Sequence, residues 1–139
     1  MVAAGLSALV AGGAVALAGL GAVTAPRSAD FTFVRGTAFG AGEAARLRAF
    51  LRPALLDERT SVTFIGHTGT AGDAAANQTL SEARAEAGAA LAREMGLQAG
   101  RITALGLGGA DPLPKAEGET ARAFQSRLAR LTVSLQVRR

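Results

Sequence analysis

The chain has 139 residues, with 15 Lys+Arg against 11 Asp+Glu and no cysteine. That leaves room for one domain and none for a disulfide, a thiolate metal site, a catalytic thiol or a cysteine-linked lipid anchor. Tyr and Trp are absent, only six Phe occur, and no five-residue run of Lys or Arg is present, so the basic balance lacks the stacking platform of a nucleic-acid-binding surface and nucleic acid is not expected as a partner.

Residues 1 to 26 carry no charged side chain, and every acidic and basic residue follows them. Val2 to Val23 would span ~33 Å as a helix, about one hydrocarbon core. Two readings compete. A cleaved signal peptide needs a basic start, a shorter apolar stretch and a small-residue cleavage site. Val23-Thr24-Ala25 offers such a site, but Pro26 follows directly and no Lys or Arg precedes the apolar run. The length favours a retained transmembrane helix over residues 1–25, contacting the membrane through 2–23. Ala8, Gly12 and Ala16, like Ala14, Ala18 and Ala22, fall four apart. Small residues at that spacing admit close packing against a partner transmembrane helix, although a segment so rich in Ala and Gly produces the spacing by chance.

Residues 26–30 are expected to form a short linker, and 31–139 a domain. Phe31 to Val34 alternates as a half-buried strand does. Gly36 to Gly42 reads as a turn. Glu43 to Leu56 has helical periodicity, with Leu47, Phe50, Leu51, Ala54 and Leu55 on one side and Pro53 inside the run. Ser61 to Gly66 is a second strand. A loop to Ala76 precedes a long helix expected over Leu80 to Met95, with Thr79 and Glu82 spaced for a capping box, Ala83, Ala87, Leu91 and Met95 as its buried stripe, and Gly96 as its stop. Arg101 to Leu107 is a third strand, Glu119 to Leu128 a shorter helix, and Leu131 to Val137 a last alternating strand. The order β-α-β-α-β-α-β implies an α/β (α+β) two-layer sandwich, helices on one sheet.

The central stretch Gly66-His67-Thr68, Gly72, Asn77, Leu80-Ser81 and Arg84-Ala85, followed by Gly106-Leu107-Gly108 and Pro112, resembles the OmpA-like family of cell-wall-binding domains over about residues 31 to 137. The resemblance implies a non-enzymatic periplasmic domain that holds peptidoglycan without a covalent bond and needs no cofactor. In the family, an aspartate takes the ammonium of the wall's diaminopimelate and an arginine forks onto its carboxylate. By position Arg84 is that arginine; its alternative role is a solvated partner of Glu82 or Glu86. Thr68, Gly69, Asn77 and Arg130 are the other ligand positions.

Two departures stand out. The aspartate position is Gly69, which offers no acceptor side chain, and the family's asparagine before the last strand becomes Leu128. Losing one charge-assisted contact costs ~1.5–3 kcal/mol, about ten- to a hundredfold in affinity. Asp73 is the nearest carboxylate. His67, the only histidine, makes a poor metal site alone and is expected to close the end of the second strand by hydrogen bonding. No motif supports a catalytic nucleophile at Ser81 or Ser126. The two functions left are a weakened peptidoglycan tether of the envelope, and a membrane-anchored accessory subunit that has given up the ligand.

Overall fold

The computed structural model describes residues 27–139. The expected transmembrane segment lies outside the described residues, and among those described no helix is long and apolar enough to cross a membrane. The elements are β1 (Arg27–Arg35), β2 (Ala38–Phe39), α1 (Glu43–Leu56), β3 (Thr60–Gly66), α2 (Ala74–Glu94), a 3₁₀ turn (Ala99–Arg101), β4 (Ile102–Gly106), α3 (Ala121–Leu128) and β5 (Arg130–Val137). They build one sheet in the order β2-β1-β5-β3-β4. β5 pairs antiparallel with both β1 and β3, while β4 runs parallel to β3 after the α2 crossover.

Alternation decides which face of the sheet is covered. Leu131, Val133 and Leu135 of β5 are buried, as are Val62 and Phe64 of β3 and Ala29 and Phe31 of β1. Against them lie Leu47, Leu51 and Ala54 of α1 and Ala85, Ala89, Leu91 and Ala92 of α2. The result is the expected mixed sandwich of two layers. Each large side chain sealed between them contributes ~1.5–3 kcal/mol.

Several boundaries differ from the sequence reading. Residues 27–30, read as linker, belong to β1, with Arg27 opposite Leu135. A fifth strand, β2, pairs with β1 at the sheet edge, where Phe39 stacks on Phe33 at 4.9 Å. A two-residue strand leaves no periodicity to read.

Helix α2 begins six residues before Leu80. Asp73 caps it, its Oδ2 accepting from Ala76 N at 2.8 Å, so Thr79 and Glu82 lie inside the helix and form no capping box. The expected stripe is also corrected: Ala83 is exposed and Ala87 half-buried, while Ser81, Arg84, Ala85, Gly88, Ala89, Leu91 and Ala92 face inward. Alanine lies on every side of this helix, so apolar spacing could not select a face. Close approach selects it instead. A Cβ on Gly88 would lie 2.6 Å from Phe64 Cδ1, and one on Gly66 would lie 1.8 Å from Ser81 O. At α2's end Gly96 stops the helix at φ 102°, as expected.

Helix α3 starts at Ala121, with Thr120 Oγ1 accepting from Ala123 N at 3.1 Å. The register puts the C-terminal ends of β3 and β4, the N-termini of α2 and β5 and the Gly36 turn at one end of the sheet. The chain enters at the other end, through Arg27.

Candidate functional site

Every ligand position expected from the sequence lies at the end away from Arg27. β3 finishes at Gly66, and His67 and Thr68 continue inward, 2% and 3% exposed. Thr68 N donates to Gly108 O at 2.9 Å and its hydroxyl to Gly69 O at 2.9 Å. Asn77, in the first turn of α2, donates through Nδ2 to Ala71 O at 3.0 Å and Gly69 O at 3.4 Å. These bonds fix the 67–73 loop against the 106–109 loop. The approach is close: a Cβ on Gly109 would lie 2.7 Å from Gly69 O. Beneath, a Cβ on Gly106 would lie 2.3 Å from Ser81 Oγ. That hydroxyl accepts from Gly108 N and donates to Gln78 O, each at 2.8 Å. Ser81 is therefore a structural pin.

Arg84 is 6% exposed. Its Nε donates to Gly36 O at 2.7 Å and its Nη1 to His67 O at 3.0 Å, and the guanidinium lies 5.1 Å over the Phe33 ring. The unexpected strand β2 thus has a place in the site, since Phe39 supports the ring under Arg84. Pairing with Glu82 or Glu86 does not occur: Gln78 bonds Glu82, and Glu86 pairs with Arg93. Among the described residues Arg84 has no carboxylate partner. Burial without a counter-charge pushes its pKa down.

Arg130 is buried beside this loop. Its Nη1 donates to Leu128 O and its Nη2 to Asp111 O, both at 3.1 Å, and Nε stands 4.0 Å from Asp30 Oδ2. His67 N donates to Arg130 O at 2.9 Å and joins the two arginine environments. Thr132 Oγ1 donates to Asp30 Oδ1 at 2.6 Å and lies 3.2 Å from His67 Nε2. Nε2 is then the donor, and the buried Nδ1 has no partner among the described residues. Burial lowers the His67 pKa, and Arg130 lowers it further, against the opposing pull of Asp111 and Asp30. Leu128 is fully buried and brings no polar group to the site.

Sequence reasoning did not find Gln125 of α3. Its Oε1 accepts from Thr70 N at 2.8 Å and from Ala71 N at 3.3 Å, while Nε2 donates to Thr70 Oγ1 at 2.9 Å. A Cβ on Gly69 would lie 2.3 Å from that Oε1. Fifty-five residues separate Gln125 from Thr70, and no local pattern announces the contact. Asp73, the nearest carboxylate by sequence, is occupied in capping α2. Among the described residues no group of three or more His, Asp or Glu could hold a metal ion.

The arrangement brings the buried guanidinium groups of Arg84 and Arg130 to one end of the sheet; of the nearby carboxylates Asp30 accepts from Thr132 and Asp73 caps α2, while the exposed Asp111 acts on His67 and Arg130 through its charge. Such a site can bind an anionic group and has no assembled nucleophile. A comparison with curated proteins found no match. Among solved structures, the chain is similar to the OmpA-like domain of FopA1 from Francisella tularensis subsp. tularensis SCHU S4, with 24% identity over 82% of this chain and 77% of that one, and a TM-score of 0.65. The peptidoglycan-associated lipoprotein from Burkholderia pseudomallei gives 22% identity, 79% and 90% coverage, and a TM-score of 0.64. A putative MotB like protein from Desulfovibrio vulgaris gives 19%, 88% and 87%, and 0.65. At these identities the likeness shows the fold. The OmpA family model matches residues 39–126, more than half of the sequence. The chain belongs to the OmpA family, which is non-enzymatic.

Proposed function

We propose that this domain is a non-catalytic module of the bacterial cell envelope, in the periplasm, that holds peptidoglycan weakly through Arg84 and the Thr68–Asn77 loop. One observation carries the reading: Arg84 is buried at the family's ligand position with only neutral carbonyls and a ring around it. A desolvated guanidinium without an anion is costly, and the carboxylate of a wall peptide supplies one. Asn77 and Thr68 hold the loop in shape, and Arg130 adds positive potential behind it. A peptidoglycan-associated lipoprotein among the similar folds supports the same ligand.

The hold is weak because the ligand's ammonium finds no carboxylate at the family's aspartate position. Gly69 has no side chain, and Asp73 is engaged elsewhere. A sedimentation assay with purified sacculi tests this. Wild type pellets weakly, Arg84→Ala stays in the supernatant, and Gly69→Asp recovers part of the binding. Tight pelleting of wild type that survives Arg84→Ala contradicts the reading.

A second reading is an accessory subunit anchored in the inner membrane through residues 2–23, packed on partner transmembrane helices and no longer bound to the wall. The early start of β1 favours it. Only residues 24–26 lie between Val23 and β1, a reach of ~10 Å, so an anchored domain sits close to the bilayer. Co-purification of other subunits from detergent extracts supports it, and a lone monomer counts against it.

A further inference from the structure

We propose that Gln125 has taken the place of the position-69 side chain and is the residue that sets which ligand termini the site accepts. The proposal rests on the wall-peptide reading of the site and adds to it a specificity determinant on a different element.

Gly69 leaves a space, and that space is filled. The ideal Cβ direction at Gly69 runs into Gln125 Oε1 at 2.3 Å and Gln125 Cδ at 3.4 Å. The carboxamide therefore sits where a side chain at position 69 would project. It is also fixed there: Oε1 accepts from Thr70 N and Ala71 N, and Nε2 donates to Thr70 Oγ1. Three bonds from one side chain to consecutive loop residues make a built contact. Nothing in the backbone demands glycine, because Gly69 is not among the glycines with positive φ.

The chemistry follows from the carboxamide's inventory. The Oε1 has two lone-pair sites, and both are met by loop N–H groups. The Nε2 is a donor only. An ammonium brought to this point meets no free acceptor, while the same N–H groups are withheld from a ligand carboxylate. A glutamate at 125 changes one term: it keeps an acceptor for Thr70 N and Ala71 N, lets the Thr70 hydroxyl donate in return, and adds a negative charge with lone pairs to spare.

The test uses the 139-residue chain in detergent and a soluble wall peptide ending in meso-diaminopimelate, with or without acetylation of its free amino group. Gln125→Glu is expected to bind the free peptide at least about tenfold tighter than wild type, and acetylation is expected to erase the gain. Amide exchange at Thr70 and Ala71 is the independent readout: slow in wild type and in Gln125→Glu, fast in Gln125→Ala. Equal exchange in wild type and Gln125→Ala overturns the proposal, because the contact is then absent in solution. Arg84-dependent binding that is no tighter in Gln125→Glu overturns it while leaving the wall-ligand reading intact. If no variant binds, including Gly69→Asp combined with Gln125→Ala, the wall-ligand reading fails and the proposal fails with it.

Discussion

Arg84 holds its charge in a buried place with no acid to answer it, and two opposing terms follow for its replacement. Arg84→Met removes a desolvated charge, which stabilises, and two hydrogen bonds to Gly36 O and His67 O, which costs about 1–3 kcal/mol. Chemical unfolding of Arg84→Met is expected to stay within about 2 kcal/mol of wild type, while sacculus binding is lost. His67 makes the complementary prediction for pH. Burial holds its folded pKa below the ordinary value of 6.5, so the unfolded chain takes up its proton first. Its contribution is complete above pH ~6.5 and is lost as pH falls through the lowered folded value. Melting temperature is expected to drop from pH 7 to pH 5, less steeply in His67→Gln. Glu43, whose bond to Arg46 holds its pKa below 4.5, acts in a lower window, its contribution lost only below that value. An unchanged slope in His67→Gln contradicts the assignment.

Between elements, the decisive contact is α2 crossing the ends of β3 and β4. Gly66 and Gly106 are required there because the Ser81 backbone lies where a Cβ would stand. Gly66→Ala must push backbone against backbone, and such overpacking costs about 1–3 kcal/mol or more. Urea unfolding is expected to show a loss of at least about 3 kcal/mol, or no folded protein. Asp73→Ala removes only a cap, worth about 1 kcal/mol; a larger loss than in Gly66→Ala contradicts this order. The sequence showed these glycines as motif members, and the close crossing is their reason. β1, β3, β5 and α1 were legible because alternation and the Leu47, Leu51, Ala54 spacing mark one face, whereas the two-residue β2 was not. The face of α2 was not, since alanine supplies no contrast around the helix. Its start was missed because a Thr79–Glu82 pair mimics a cap, and the true cap, Asp73, follows a glycine loop. Of the proposed ligand positions, motif spacing picked out Thr68, Asn77 and Arg84. Gln125 was not legible, because its partners are 55 and 54 residues away and only the folded chain brings them together.

At the scale of the whole molecule, the chain enters at Arg27 and the ligand loops lie at the opposite end of the sheet. The six steps from Thr60 to Gly66 in β3 separate those ends by ~20 Å. An anchor before Arg27 would therefore turn the loops away from the bilayer and toward the wall. That orientation suits a tether, while the short connection limits how far it reaches. In the proposed reading the molecule keeps the arginine of a site for a zwitterion and has no carboxylate at position 69 to answer the ammonium. Calorimetric titration of the full chain, in detergent, with a soluble wall peptide ending in meso-diaminopimelate tests this most directly. Gly69→Asp is expected to bind at least about tenfold tighter than wild type, once the Gln125 carboxamide swings aside. Wild-type binding as tight as that of Gly69→Asp would contradict the account.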